Sequence, residues 1–143
     1  SHKCKIDPVC KYGISKVAAY VALKDILKKK KIKFAWARLF HMYGNNEHKN
    51  KLVPTILSSF EKNTKYEFTA SNQMIDLSHV GDVANDIISL SSGYREGVFN
   101  VCSGRPQTIK EIVTSIVGER ISKNLFTFSE VKLNNCLSGI RNV

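Results

Sequence analysis

The feature that most constrains this fold is the alternation of helical and strand-like patterns along the chain. Apolar residues recur at helical spacing from residue 14 to about 29, and an aromatic-rich strand follows at 32–40. Further helices are predicted at 54–60, 79–90 and 109–117, with strands at 65–68 and 98–101. This alternation predicts an α/β architecture of few strands flanked by helices.

Local signals support the predicted helix starts. Pro54 suits the first turn of a helix, and Asp82 places a negative charge in the first turn of the next one. Thr108 and Glu111 form a capping box ahead of the last predicted helix. Residues 1–11 carry no apolar period and are predicted to be an irregular lead-in, whereas residues 118–143 form a tail without a clear pattern.

The composition predicts a single domain spanning residues 1–143. An apolar fraction of 43% is ordinary for a globular protein, and no run approaches the roughly twenty apolar residues of a membrane span. The N-terminal residues lack a signal-peptide pattern, so we expect a cytoplasmic protein with no membrane partner. Cys4, Cys10, Cys102 and Cys136 lack zinc spacing and are expected to be reduced, so no metal site is predicted. A bridge between Cys4 and Cys10 would require an oxidising compartment.

The net charge of +10 comes largely from a lysine run at residues 28–31 and from Lys33. A nucleic-acid surface would interleave arginine and aromatic residues as stacking and base-reading groups. The lysines instead end a predicted helix, where cations are favoured by the helix dipole and remain solvated. We therefore favour a solvated helix end over a nucleic-acid partner, although a basic surface would still attract a substrate that carries phosphate.

Tyr12 and Lys16 are the first candidates for chemistry. At helical spacing of i and i+4 their polar groups lie on one face, where the ammonium group favours the phenolate form. Such a tyrosine can exchange a proton with a carbinol or carbonyl oxygen. About 0.6 such pairs are expected by chance in a chain of this composition, so the pair alone proves no activity.

Five stretches follow one another in an order known from one protein family. They are Tyr-Gly-Ile-Ser-Lys at 12–16, Arg-Leu-Phe-His-Met-Tyr-Gly at 38–44, Leu-Val-Pro at 52–54, Gln-Met-Ile-Asp-Leu-Ser-His-Val-Gly-Asp-Val-Ala at 73–84 and Val-Phe-Asn-Val-Cys-Ser-Gly at 98–104. The series resembles the second half of an extended short-chain dehydrogenase/reductase of the NAD-dependent nucleotide-sugar epimerase/dehydratase group. The resemblance implies the C-terminal portion of a Rossmann-type fold.

The resemblance also implies roles for individual residues. Tyr12 would be the catalytic acid/base, and Lys16 would assist it and bind the nicotinamide ribose. The ligand contacts would be Tyr12, Lys16, Leu39 and Phe40 for NAD or NADP, and His41, Lys51 and Leu52 for the nucleotide-sugar substrate. Tyr43, Leu52, Val53, His79 and Val83 are more simply packing or turn residues than ligands.

The sequence departs from the family pattern in several places. No Gly-x-x-Gly-x-x-Gly turn, which would hold the cofactor pyrophosphate at a helix N-terminus, occurs among its eight glycines. Tyr20 stands where the family commonly has Glu, and Ile75 stands where it has an Arg that contacts a substrate phosphate. His41 replaces the usual Asn, and Asn45 replaces the usual Pro. We therefore expect the chain to be inactive by itself.

Three interpretations remain open. The chain is part of a nucleotide-sugar enzyme completed by an N-terminal half, or a non-catalytic remnant that serves binding or assembly, or, least favoured, a basic nucleic-acid-binding module. A sheet without its central strands would leave apolar edges exposed, which predicts a homo-oligomer or a complementary N-terminal half as partner.

Overall fold

The structure is a computed structural model that describes residues 7–130. Its helices are α1 (Lys11–Lys29), α2 (Leu52–Glu61), α3 (Val80–Ser92), α4 (Ile109–Val117) and α5 (Glu119–Leu125). Its strands are β1 (Ala35–Leu39), β2 (His41–Tyr43), β3 (Tyr66–Phe68), β4 (Met74–Ile75), β5 (Leu77–His79), β6 (Gly97–Val101), β7 (Gln107–Thr108) and β8 (Phe126–Phe128). The predicted α/β alternation is confirmed. Residues 1–6 of the predicted lead-in and residues 131–143 of the predicted tail, with Cys4 and Cys136, lie outside the described residues.

Two predicted boundaries were wrong for identifiable reasons. The strand predicted from residue 32 begins at Ala35, because the end of α1 extends into that segment. Lys31 takes a positive φ of 56°, and the Ile32 N–H donates to the Leu27 carbonyl at 2.9 Å, which closes the helix. Helix α2 begins at Leu52 rather than Pro54, so the proline is its third residue, where a backbone N–H has no partner within the helix.

The sequence analysis missed β2, β4, β5, β7, α5 and β8. Five of these are strands of two or three residues, too short to show a period. Helix α5 and β8 lie in the part of the tail that the structure describes, so the predicted patternless tail begins too early. The capping box of α4 is confirmed, with the Thr108 N–H donating to Glu111 Oε2 at 2.7 Å and the Glu111 N–H donating to Thr108 Oγ1 at 3.1 Å.

The strands of the described segment pair two by two. β1 pairs with β6 in parallel, from Ala35 opposite Gly97 to Leu39 opposite Val101. β2 with β5 and β3 with β8 are also parallel, and β4 with β7 is antiparallel. Within residues 7–130, β1 has β6 as its sole neighbour, so the backbone of its second edge is open.

The hydrophobic core lies in the C-terminal part of the fold. Its buried members belong to α2, α4, the β3–β8 pair and β4, and are Ile56, Phe68, Ile75, Ile112, Val113, Val117 and Phe126. Helix α1 stays outside this core, because Gly13 is its one buried residue. Its apolar side chains Ile14, Val21 and Ile26 are about half exposed, at 54%, 51% and 49%. Helical periodicity therefore predicted the helix correctly, but its apolar face is uncovered.

Candidate active site

Tyr12 and Lys16 lie together at the start of α1. The helix begins where the Cys10 sulfur accepts a hydrogen bond from the Gly13 N–H at 3.4 Å. Gly13 approaches the lead-in so closely that a Cβ there would lie 3.1 Å from the Pro8 Cβ. One turn onward, the Lys16 Nζ lies 5.1 Å from the centroid of the Tyr12 ring. The spacing predicted from the sequence thus places the ammonium group beside the phenol.

An open cleft of about 390 Å³ separates α1 from β1. Tyr12, Lys16 and Leu39 line it, together with the aromatic side chains of Tyr20 and Trp36. The Tyr20 ring lies 5.3 Å from the Trp36 ring, centroid to centroid, and both rings line the cleft. Tyr12 itself is 67% exposed, so its hydroxyl is accessible from solvent. Three of the four predicted cofactor-binding residues therefore share one cleft.

Arg38 is the most unusual residue of this cleft. It is the fourth of the five residues of β1 and is only 7% exposed, yet its Nε and Nη1 atoms have no hydrogen-bond partner within residues 7–130. Asn100, its register neighbour on β6, has an equally buried and unpartnered Oδ1 atom. A buried guanidinium without an acceptor is unfavourable, and here it stands on the strand whose second edge is open.

The predicted substrate-binding residues converge on a second cavity. His41, Lys51 and Leu52 all line a space of about 680 Å³, enclosed by β2, the start of α2 and β4. Phe40, the fourth predicted cofactor contact, lies here and not in the first cleft. Leu39 lines the first cleft and Phe40, the next residue, lines the second cavity, so both spaces border the carboxyl end of β1.

The N-terminus of α2 gives this cavity a positive end. Lys51 is the N-cap residue of α2, its side chain makes no capping hydrogen bond, and no acidic residue occupies the first turn. The lysine charge and the helix dipole both favour an anion at this position. Ile75, which stands where the family carries an Arg, is buried in the core and adds no charge to the cavity wall.

Two carboxylates that the sequence analysis did not single out as ligands occupy defined positions. Glu47 lines the second cavity, and its Oε2 atom is buried without a hydrogen-bond partner. Asp76 is buried and accepts hydrogen bonds from the Ser103 N–H at 2.7 Å and the Gly104 N–H at 2.9 Å, which ties down the loop after β6. Glu47 sits in a polar loop without periodicity, so no sequence pattern marked it.

His79 and Tyr43 have structural roles, as predicted. The His79 Nδ1 accepts a hydrogen bond from the Gly81 N–H at 3.1 Å and so caps α3. The Tyr43 ring packs edge-on against the imidazole, with centroids 5.4 Å apart. Within residues 7–130, no three His, Cys, Asp or Glu side chains are grouped to hold a metal ion. No helix in the same range is both long and apolar enough to cross a membrane.

Comparison with known proteins was made by family, by sequence and by structure. The NAD-dependent epimerase/dehydratase family matches residues 1–102. A dTDP-6-deoxy-L-talose 4-dehydrogenase (NAD(+)) of Aggregatibacter actinomycetemcomitans is 24% identical over 110 residues, covering 76% of this chain and 41% of the relative. A CDP-abequose synthase of Yersinia pseudotuberculosis is 26% identical over 132 residues, covering 90% of this chain and 42% of the relative.

The fold is similar to that of solved enzymes. A dTDP-glucose 4,6-dehydratase of Bacillus anthracis, solved in complex with NAD, superposes with a TM-score of 0.77 at 18% identity. The match covers 92% of this chain and 44% of that one. This likeness confirms the predicted fold, the C-terminal portion of a Rossmann-type extended short-chain dehydrogenase/reductase. The chain spans less than half the length of the curated relatives it matches.

Proposed function

The chain belongs to the NAD-dependent epimerase/dehydratase family, and on that premise we propose that it is the catalytic C-terminal part of an NAD(P)-dependent nucleotide-sugar epimerase, dehydratase or reductase. The observation that carries the proposal is that consecutive residues at the end of β1, Leu39 and Phe40, line two spaces. One holds the Tyr12–Lys16 pair, and the other holds His41, Lys51 and Leu52.

In this proposal Tyr12 moves the proton. Its phenolate accepts the proton of a sugar hydroxyl as that carbon is oxidised, and the phenol returns the proton when a carbonyl is reduced. The Lys16 Nζ lies 5.1 Å from the centroid of the Tyr12 ring, so a cation stands next to the proton-transfer group. Bound NAD(P) would supply the exchange of a hydride with the sugar carbon.

The residues present fit only one end of that cofactor. Tyr12, Lys16 and Leu39 line a cleft that could hold the nicotinamide and its ribose, and Phe40 lies at its border with the second cavity. A glycine-rich turn for the pyrophosphate is not found in the 143 residues. We therefore propose that this chain does not turn over substrate alone and that a dinucleotide-binding half completes the site.

The open surfaces support such a partner. In the described segment the second edge of β1 is unpaired and the apolar side chains Ile14, Val21 and Ile26 of α1 are about half exposed, which together favour the docking of another polypeptide. A complementary N-terminal half or a second copy of this chain would cover both features. We expect light scattering to find an oligomer when the chain is alone, and a monomer over a wide concentration range would contradict self-association.

The substrate end of the site is a nucleotide sugar in this proposal. Lys51 and the N-terminus of α2 would bind a phosphate group, while His41 would offer a hydrogen bond to the sugar. We expect calorimetry to detect binding of at least one member of a panel of UDP-, dTDP- and CDP-sugars. Absence of binding at millimolar ligand would refute a nucleotide-sugar site in this chain.

Reconstitution tests the catalytic assignment. The chain would be co-expressed with the N-terminal half of the Yersinia CDP-abequose synthase, ending where the match to this chain begins, and assayed for sugar-dependent oxidation or reduction of NAD(P). Tyr12→Phe should lower turnover by at least about a hundredfold, because the proton-transfer group is lost. Tyr20→Phe is the matched control, since this tyrosine lines the same cleft two turns further along α1.

The outcomes separate the competing functions. Equal turnover of the wild-type and Tyr12→Phe complexes would refute the assignment of Tyr12. A complex that forms and binds NADH but never turns over any sugar nucleotide would favour the non-catalytic assembly module. The exposed apolar side chains of α1 are also consistent with that function.

A further inference from the structure

Glu47 is an unused carboxylate in the cavity that holds the proposed substrate contacts. Its Oε2 atom is buried and has no hydrogen-bond partner among residues 7–130. Lys51 lines the same cavity but forms no ion pair with it, since the one ion pair found within that range joins Glu119 and Lys123. In the described part of the chain, the residues lining the cavity therefore include a cation and a separate carboxylate, neither with a counterion.

The backbone holds Glu47 in this position. The residue before it, Asn46, has a positive φ of 66°, a conformation that asparagine tolerates in turns. The Glu47 N–H donates to the Gly44 carbonyl at 3.4 Å and closes the turn that follows β2. The side chain thus starts from a defined turn between β2 and α2, at the cavity wall.

We propose that Glu47 determines which sugars this site accepts. The inference rests on the proposed function, because it treats the second cavity as the nucleotide-sugar site. An unpartnered carboxylate oxygen accepts hydrogen bonds and cannot donate them. It will therefore favour a sugar that presents a hydroxyl or amino group, and it will disfavour a sugar acid whose carboxylate is brought close to it.

The charges of the cavity determine how the ligand is oriented in it. The phosphate groups belong at Lys51 and the N-terminus of α2, where positive charge is concentrated. The neutral, hydroxyl-rich end then lies toward Glu47. A hydroxyl that donates to the carboxylate removes the penalty of an unsatisfied buried acceptor, whereas a second carboxylate adds like-charge repulsion in a partly desolvated site.

The test compares two ligands that differ only at the sugar C6 position. UDP-glucose and UDP-glucuronate share the nucleotide and the phosphates, so the ratio of their dissociation constants isolates the sugar end. If the site prefers dTDP over UDP, dTDP-glucose and dTDP-glucuronate are compared instead. For the wild-type chain we expect UDP-glucuronate to bind at least about tenfold more weakly by calorimetry, a conservative figure for two like charges a few ångströms apart.

Glu47→Gln should bring the two dissociation constants to within about threefold of each other, because the amide keeps the shape and loses the charge. Glu47→Ala removes both the charge and the hydrogen-bonding group, and it should also bring the two dissociation constants to within about threefold of each other. Glu61→Gln, at the exposed end of α2 and outside the cavity, is the matched control and should retain the wild-type ratio.

Each outcome decides a separate question. Equal binding of the two ligands by the wild-type chain overturns the role of Glu47 but leaves the nucleotide-sugar site standing. Discrimination that persists in both Glu47 variants overturns the role of Glu47 as well. Binding of neither ligand pair, nor of any other sugar nucleotide, refutes the proposed function itself and this inference with it.

Discussion

Replacing Arg38 by methionine should stabilise the isolated chain. The side chain lies on β1 at 7% exposure, and two of its nitrogens are buried without an acceptor. Removing a buried polar group usually destabilises a protein because its partner is left behind. Here no partner would be orphaned, and methionine keeps most of the aliphatic stem that packs in the cleft.

The size of the effect follows from the cost of burying the charge. An unsatisfied buried donor costs about 1–3 kcal/mol, and more when it is charged. Substituting apolar residues for buried charges has stabilised other proteins by about 1–4 kcal/mol. We expect a gain of about 2 kcal/mol in the free energy of unfolding, which for a chain of this length raises the melting midpoint by roughly 6–8 °C.

Urea unfolding followed by circular dichroism measures this gain directly, with thermal melting as a second reading. Arg120→Met, on the exposed surface of α5, is the matched control and should change stability by less than about 0.5 kcal/mol. In a complex with a complementary half, Arg38→Met should lower stability instead of raising it. If the partner supplies an acceptor for the guanidinium across the open edge of β1, Arg38→Met weakens the complex while it stabilises the free chain.

A loss of more than about 1 kcal/mol in the free chain would refute this reasoning. It would mean that the guanidinium already has a favourable partner, or that its packing outweighs the cost of burying its charge.

Three further substitutions test the framework around the site. Asp76→Ala should lower the free energy of unfolding by about 2–3 kcal/mol in urea titrations, because two backbone N–H groups of the loop after β6 lose their acceptor. An unchanged urea midpoint would contradict that role of Asp76. Gly44→Ala should cost about 1–3 kcal/mol, since the new Cβ would lie 2.5 Å from the Val80 Cγ1, and an unaltered melting midpoint would disprove the close approach. Hydrogen bonds from the Thr108 backbone, and to a smaller extent from its side chain, hold the pKa of Glu111 in the folded chain below its ordinary value of 4.5. These bonds therefore stabilise the folded state at pH values above 4.5, and this stabilisation is lost as the pH falls through the lower folded pKa. The melting midpoint of Glu111→Gln should therefore lie below that of the wild type at pH 7 and meet it toward acid pH, and a gap that stays constant would exclude the linkage.

The sequence predicted the candidate site better than it predicted the sheet. The i, i+4 spacing of Tyr12 and Lys16 is a local property of a helix, so it was readable without tertiary information, and the structure places the two groups side by side. The predicted substrate contacts His41, Lys51 and Leu52 came from family resemblance, and all three line one cavity in the structure. Phe40 lies in that cavity rather than in the cofactor cleft.

Other features could not be found in this way. Helical periodicity identifies the apolar face of α1 but not whether anything covers it, and the structure leaves Ile14, Val21 and Ile26 about half exposed. The strands of two or three residues owe their existence to partners far along the chain, as β3 does to β8. No local pattern encodes such pairing.

The sequence by itself determined the α/β alternation, the caps of α3 and α4, and the pairing of a phenol with an ammonium group on α1. These are short-range properties, set by the helix period and by hydrogen bonds between residues two to four positions apart. Only the tertiary structure decided that Arg38 is buried and that Glu47 is half-buried, neither of them with a counterion among residues 7–130, because burial and pairing depend on which distant segments surround a side chain. The two residues that most sharply distinguish this site were therefore visible only in the folded chain.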